Sequence, residues 1–599
     1  MRMRGHGLNN QARGGAAWRR LLAGAMALVR ATARRRALGA LTAIAAALAV
    51  LSLSAAPALA SRTQVSVLED DYNLFTNPAA TLQELRHLGV NMVRVSVRWS
   101  SFAPDPNSHT IPQFDAADPN AYPPGTWTAL DAIVLDAQSL GIQVLLNPAG
   151  GAPLWAQGPD PGRYGAHYTT VWAWKPNVSE FAQFVHALGT RYSGSFIPPG
   201  SSLPLPHVSY WEIYNEPNTG EALGPEAIDG SRVAFAPKLY RQIADASWAA
   251  LQATGHAGDT ILIGALGSEG YQAPPSRRFP QGLPGTYGEM KPLDFVRELY
   301  CLTPSYQHYL GYAAWLRGCP TTQRGYASFR RQHPVLFQAS GFSDHPYNLA
   351  KPNLPPTRAA SSDPSWAEFA QIPHLAAALD RIQRIYGSAK RFPIWNTEYG
   401  YITCQPNCVW PDVSPATAAT YLNWAEYLSW RNPRIANTMQ YLLVDGNPTV
   451  GVAEHGGFAS GLVFYDGMPK ADYYAYRMPI FMPYTRTRRG RALEVWGDVR
   501  PAPYAVADGD GPQYVQIQFA RRGSGHWSTL RTLRVSDPHG YFATWVTFPA
   551  SGWVRTEWTY PPADKALQST FITNSNGTIF SRIVGVSITP GAARDRGRR

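Results

Sequence analysis

From Gln64 to about Tyr484, short apolar runs alternate with longer amphipathic stretches, which predicts strands interleaved with helices around a parallel sheet. Eight runs qualify as strands: 64–68, 92–97, 143–146, 208–214, 260–265, 341–345, 392–397 and 437–444. Between them, the spacing of Phe181, Phe184, Val185, Leu188 and Tyr192 puts all five on one helical face. Leu82, Leu85 and Leu88 line another, which Gly89 closes as a C-terminal cap just before the second strand. Eight such units predict an α/β fold of the closed (β/α)8 barrel type rather than an open doubly wound sheet, and no Gly-rich dinucleotide turn follows the first strand.

After about Tyr484 the period changes to two. Val515, Ile517 and Phe519 alternate with Gln516 and Gln518, 541–548 is a second extended run, and Asp508-Gly509-Asp510-Gly511 reads as a turn. A small β-sandwich is expected there, with Trp527, Trp545, Trp553 and Trp558 taken as core. The stretch 269–333 is too long for an ordinary connection, and its Pro, Gly, Tyr and two Cys suggest a stapled insertion over the barrel mouth.

Composition changes the picture mainly at the N-terminus. The first 60 residues carry nine arginines and no acid, with an apolar run over 37–53 and Ala58-Leu59-Ala60 at the end. That is the pattern of a secretory signal cut before Ser61; Met26 is an alternative start, with Arg34-Arg35-Arg36 beside the apolar run as a weak twin-arginine signal. The expected organisation is a leader over 1–60, a catalytic barrel over 61–484 and a β-sandwich over 485–599. Losing the nine leader charges takes the net charge from +12 to +3, so the basic balance gives no reason to expect a nucleic-acid partner. The mature chain is expected outside the cell or in its envelope, with no stable membrane insertion. In an exported chain, four cysteines point to disulfides, and Cys301 with Cys319 plus Cys404 with Cys408 is the simplest of three connectivities. No histidine pattern accompanies them, so no metal is expected.

The fourth run ends WEIYNEPN, residues 211–218, and the seventh lies in FPIWNTEYGY, residues 392–401. Barrel enzymes place reactive groups where strands end at the C-terminal face, so Glu216 and Glu398 are expected to face one crevice. Two carboxylates across a crevice suit glycosidic cleavage, one protonating the leaving oxygen while the other attacks the anomeric carbon. Glu212, two and four residues before Tyr214 and Glu216, turns inward and reads as a buried structural partner, with Arg94 a candidate. Trp99, Trp155, Trp172, Trp174, Tyr399 and Trp410 are candidates for stacking on sugar faces, some of them serving only as packing. Asp70 and Asp71 read equally as contacts for a terminal sugar or as a solvated turn.

With Asn215-Glu216-Pro217 on strand four and Glu398 on strand seven, the chain resembles the clan A (β/α)8 retaining glycoside hydrolases, the family 5 cellulase-like and family 39-like enzymes. The resemblance spans the whole barrel. It implies that Glu216 is the general acid/base, Glu398 the nucleophile and Asn215 the partner of the sugar 2-hydroxyl. Arg94 in VRVSVRW is similar to the clan's strand-two arginine, which steadies the nucleophile as a carboxylate. His345 and Tyr347 in SDHPYN match its strand-six His-x-Tyr, which implies a hydrogen bond from Tyr347 to Glu398 and a protonation-setting role for His345. The third strand ends Leu146-Asn147-Pro148 and the eighth runs through Tyr441 to Asp445, without the clan's usual histidine and tryptophan. The implied activity is a secreted retaining β-glycosidase on an oligo- or polysaccharide, with no cofactor. A transglycosylase using the same site, a catalytically silent carbohydrate-binding barrel, and an envelope protein whose sandwich carries the function are the alternatives.

Overall fold

The computed structural model describes residues 64–159, 172–227, 233–270, 289–403, 413–447, 458–561 and 577–590. Eight strands form one parallel sheet: β1 (Val65–Glu69), β2 (Met92–Arg98), β3 (Gln143–Ala149), β4 (Tyr210–Glu212), β5 (Thr260–Gly267), β6 (Gly341–His345), β7 (Ile394–Asn396) and β8 (Asn437–Tyr441). From β1 to β7 each pairs with the next, and β1 pairs with β8 over five residues. Between β7 and β8 the ring is held by the Ile394–Ile435 bridge, where the Ala436 N–H donates to the Ile394 carbonyl at 2.9 Å. The Asn437 side chain continues the seam, accepting from the Asn396 N–H at 2.9 Å and donating back to the Asn396 carbonyl at 2.5 Å. The sheet is thus a barrel, and a side-chain amide supplies part of its last ladder.

The helices form where the apolar spacing places them. Val178–Arg191 buries Phe181, Phe184, Val185 and Leu188 completely, and its first turn is capped by the Asn177 side chain accepting from the N–H groups of Ser179 and Glu180. Each such side chain removed from water is worth ~1.5–3 kcal/mol. Gly89, at φ 81°, ends Pro78–Leu88 in the left-handed conformation. It has a second reason to be glycine: a Cβ there would lie 2.3 Å from the carbonyl carbon of Arg500.

Arg500 belongs to the all-β region. One sheet joins β9 (Ile480–Phe481), β11 (Leu493–Asp498) and β14 (Tyr541–Val546). The other joins β10 (Arg486–Arg488), β12 (Tyr514–Arg521), β13 (Trp527–Arg534), β15 (Gly552–Thr559), β16 (Thr578–Phe580) and β17 (Val584–Thr589). Val515, Ile517 and Phe519 point into the core between them. That core already includes Met478 and Ile480, slightly ahead of the change of period read from the sequence. Of the four tryptophans taken as core, Trp558 is buried, Trp545 and Trp553 are exposed, and Trp527 lies under the Arg555 guanidinium.

Ser61–Arg599 is one compact unit. The all-β region docks beneath the barrel, on turns that lead into β2 and β3. Tyr560 donates its hydroxyl hydrogen to the His87 carbonyl at 2.7 Å, and Tyr504 donates to the Val90 carbonyl at 2.6 Å. On the helix Pro415–Arg431, Glu426 receives Arg500 through both carboxylate oxygens at 2.8 Å and Tyr541 at 3.0 Å, beside a cluster of Tyr427, Trp496 and Tyr541.

The expected insertion over the mouth lies elsewhere in its described part. The segment after Met290 packs on the barrel flank: Arg241 of the helix Ala236–Ala253 donates to the Leu299 and Arg317 carbonyls at 2.7 and 2.8 Å, and Tyr386 reaches the Tyr300 carbonyl. Buried aromatic surface and helix-end carbonyls draw it there. The disulfide Cys301–Cys319 closes this lobe; Cys404 and Cys408 lie outside the described residues, as do the leader and Trp410. Among the described residues, no helix is long and apolar enough to cross a membrane.

Candidate active site

The site begins where β4 stops. The strand ends at Glu212, earlier than its apolar run suggests, because Tyr214 and Glu216 adopt left-handed backbone at φ 70° and 43°. Non-glycine residues pay about 1–3 kcal/mol each for such conformations. The segment is held from both sides. Asn147, inside β3 two residues before its end, donates to the Glu212 and Tyr214 carbonyls at 3.0 and 2.7 Å. From β5, the Ala265 carbonyl accepts the Glu216 N–H at 2.9 Å at a bulge where Ala265 itself has φ 46°. The result swings Glu216 off the ladder and over the C-terminal ends of the strands.

Arg94, fully buried on β2, organises the floor of this cleft. Its guanidinium bonds Glu212 at 2.6 Å, Glu69 at 2.6 Å, Glu398 at 2.9 Å and the Asn215 amide oxygen at 2.6 Å. Fixing the Asn215 oxygen turns its NH2, a pure donor, toward the remaining space. One cation thus serves three carboxylates. Glu212 is sealed off; Glu398, just past β7, keeps 13% of its side chain exposed and Glu216 30%.

His345 at the end of β6 stands between the two outer carboxylates. Its Nδ1 is 2.9 Å from Glu216 Oε1 and 3.5 Å from Glu398 Oε1, and an oxygen of each glutamate and this nitrogen all lie within 4.8 Å of one another. Burial opposes a charge on the ring, but Glu398 and Glu216 outweigh it and push His345 up to about 9. Burial likewise raises the Glu398 carboxyl, with Glu69 and Glu216 adding to it against the pull of His345 and Arg94, up to about 8. Arg94 and His345 therefore do not hold Glu398 in the ordinary carboxylate range, because burial and the Glu69 and Glu216 charges outweigh them. The site holds a proton between imidazole and carboxylates near neutrality. Glu216, His345 and Glu398 are also the residues of the cleft that could hold a cation.

Other expected residues are placed differently. Tyr347 is buried at the cleft, but among the described residues its hydroxyl has no hydrogen-bond partner, so the expected bond to Glu398 is not made. Its ring packs edge-on against Tyr441 and Phe458 instead. Trp155 and Tyr399 are packing residues: Trp155 lies edge-on to Trp99 and donates to the Pro104 carbonyl at 2.9 Å, while Tyr399 packs on Phe369 and donates to the Tyr401 hydroxyl at 3.0 Å. Trp99 and Trp174 are buried, and Trp172 is half-buried. Asp70 is neither a sugar contact nor a solvated turn. It caps the helix Asp71–Thr76 and accepts the N–H groups of Leu443 and Val444 at 3.1 and 3.0 Å. Asp71 accepts the Ser96 N–H at 3.1 Å, and burial with the Glu69 charge raises its carboxyl well above the usual range.

Sequence reasoning missed Glu69, Tyr441 and Glu289. Glu69 ends β1, where the strand-end rule that found Glu216 would also have found it. Tyr441 ends β8, where the resemblance has tryptophan. Glu289 had no signal at all: it sits in the long β5–β6 connection, bridged to Thr219, and burial followed by Glu216 pushes its carboxyl up to about 8.

No family model matches the chain, and no curated protein matches it. Among solved structures it is similar to a glucosidase from Croceicoccus marinus, at 14% identity over 78% of this chain and 89% of that one, with a TM-score of 0.39. It is also similar to a family 39 glycoside hydrolase from the gut symbiont Bacteroides cellulosilyticus WH2, at 14% identity, 89% and 80% coverage and a TM-score of 0.40. An endo-beta-1,4-mannanase from Thermotoga petrophila matches at 11% identity, 89% and 99% coverage and a TM-score of 0.36. The fold stands on the chain's own ladder: eight parallel strands in a barrel, three carboxylates on one buried arginine at its C-terminal face, and an all-β region beneath.

Proposed function

We propose that the chain is a retaining β-glycosidase that hydrolyses O-glycosyl bonds of an oligo- or polysaccharide, with Glu216 as acid/base and Glu398 as nucleophile. The observation that carries this reading is the approach of the two carboxylates: an oxygen of Glu216 and one of Glu398 lie within 4.8 Å of each other. An inverting enzyme needs ~6.5–9.5 Å between its carboxyl groups to seat a water, whereas direct attack needs ~5–5.5 Å.

In the first step Glu216 gives its proton to the glycosidic oxygen as the C–O bond breaks, and a Glu398 oxygen bonds to the anomeric carbon. In the second, water attacks that carbon, Glu216 takes the water's proton, and the Glu398 ester oxygen leaves as a carboxylate. Glu398 must ionise before attack, and His345 at Nδ1 and Arg94 at Nη1 are within 3.5 and 2.9 Å to stabilise that charge. Asn215 presents donors toward the sugar. The N-terminal leader supports export, with Ser61 as the first mature residue.

The test is hydrolysis of a panel of aryl β-glycosides and β-linked oligosaccharides by the mature protein, beside Glu398→Gly with and without azide. Turnover by the wild type, loss in the variant and azide rescue to the inverted glycosyl azide are the expected results. Binding of glycans without turnover, unchanged in the variant, would overturn the reading in favour of a silent barrel.

A further inference from the structure

At the opposite end of β4 and β5 from Glu216, two histidines and an aspartate meet beneath the barrel. His207 precedes β4; His256 and Asp259 precede β5. His207 Nε2 is 2.9 and 3.1 Å from the two Asp259 oxygens, and His256 Nδ1 is 2.7 Å from Oδ2. The rings lie nearly parallel, 20° apart in plane, with centroids at 4.9 Å.

The outer nitrogens decide the protonation. His207 Nδ1 faces the Ser193 carbonyl at 2.8 Å, and His256 Nε2 faces the Gly189 carbonyl at 2.9 Å. A carbonyl only accepts, so each of these nitrogens carries a hydrogen. In a neutral ring the other nitrogen then holds a lone pair, and both lone pairs point at one carboxylate, which is also only an acceptor. The Trp211 indole N–H, 3.2 Å from His256 Nδ1, donates toward the same lone pair while keeping the Val208 carbonyl at 3.0 Å. Three electron-pair donors within 4.8 Å of one another repel unless a positive species lies among them. Imidazoles whose far N–H is fixed on a carbonyl are the usual form of metal-ligating histidines.

The surroundings are built for this arrangement. Both carbonyls come from the C-terminal end of the helix Val178–Arg191, whose dipole turns its negative pole to the site. A Cβ at Gly189 would lie 2.2 Å from Thr254 Oγ1, so glycine there lets the helix end seat closely on the turn that carries His256. His256 is fully buried and Asp259 is 12% exposed, while His207 is 36% exposed, which leaves a water path to a fourth position.

We propose that His207 Nε2, His256 Nδ1 and Asp259 Oδ2 bind a divalent transition-metal ion of the Zn2+ class, with water as fourth ligand, as a structural site that ties the end of the helix Val178–Arg191 to the starts of β4 and β5. Two nitrogens and one carboxylate oxygen suit zinc, which takes N and O ligands at ~2.0–2.2 Å in a tetrahedron. On loading, the 2.7 and 2.9 Å contacts to Oδ2 open as the ion enters between them, and the Trp211 N–H keeps the Val208 carbonyl alone. The site is separate from the cleft, so its loading leaves the chemistry at Glu216 and Glu398 untouched.

The mature full chain, stripped with EDTA and desalted, is titrated with ZnCl2 near neutral pH by calorimetry, with Co2+ absorption as the coordination readout and thermal melting alongside. Wild type should bind about one equivalent, show tetrahedral cobalt bands and melt higher with zinc. His207→Gln, a change at the exposed rim that keeps the fold, should weaken binding by about tenfold or more, and Asp259→Asn should abolish it. Glu398→Gln controls for a cation in the cleft and should bind as wild type does. Binding lost in Glu398→Gln but kept in His207→Gln would overturn the site. So would no zinc binding together with a wild-type melting temperature that falls as pH rises through the imidazole range, a fall missing in His207→Gln. That result would put two protons where we place the metal.

Discussion

The barrel carries a buried arginine at each end, and the two are used in opposite ways. Beneath the barrel, Arg500 grips Glu426 through both carboxylate oxygens at 2.8 Å with buried Asp498 behind it at 3.4 Å, Tyr541 completes the Glu426 carboxylate, and every member is sealed from water. At the mouth, Arg94 divides itself among Glu69, Glu212 and Glu398, and one of the three reaches the cleft. The backbone differs as well: the mouth holds Tyr214, Glu216 and Ala265 in left-handed conformations, and β11 and the turn to Arg500 hold none. A guanidinium that grips one carboxylate through both of its oxygens, with every partner sealed from water, makes a joint. The same group shared among three leaves less for each, and burial, with the Glu69 and Glu216 charges added to it, raises the Glu398 carboxyl.

The comparison is broken most sharply by removing one carboxylate at each end. Glu398→Gln should lower turnover by on the order of 10⁴-fold, read as kcat on the best aryl glycoside, while the melting temperature stays level or rises because one crowded charge is gone. Glu426→Gln should do the reverse, costing about 3–5 kcal/mol in a urea melt by removing the bidentate partner of Arg500 and leaving it only the longer pair to Asp498, with kcat per folded molecule unchanged.

Finer changes sharpen it. In Glu69→Gln the charge that opposes ionisation of Glu398 disappears and Arg94 is freed toward it. Both effects favour the carboxylate, so the acid limb of kcat/KM, which Glu398 sets near its value of about 8, should move to lower pH. A limb that stays in place or moves upward would show that Glu69 does not act on Glu398. The smallest effect belongs to Tyr504→Phe, which removes one hydrogen bond to the Val90 carbonyl: about 0.5–1.5 kcal/mol of stability and no change in the pH profile.

Much of this was legible in the chain. The barrel strands fall within a few residues of their apolar runs because the alternation that buries a strand is local. β4 and β7 came out shorter because the left-handed residues after Glu212 and the side-chain seam at Asn437 are invisible to hydropathy. For Trp155 and Tyr399 the sequence left stacking and packing both open, because aromatic type says nothing about which face of a ring is covered.

By itself, the sequence determined the order and spacing of the eight strands, the change to period two after the barrel, the Cys301–Cys319 staple, and the two strand ends that carry Glu216 and Glu398. Each is written in neighbours along the chain. Only the tertiary structure decided that Glu69 and Glu212 compete with Glu398 for Arg94, that His345 stands between the two outer glutamates, and that the all-β region sits beneath the barrel, away from the mouth. Those facts depend on closing the sheet, which brings residues from β1, β2, β4, β6 and β7 to within a few ångströms. The electrostatics that follow are set by distance in space and by burial, and neither is carried by position in the chain.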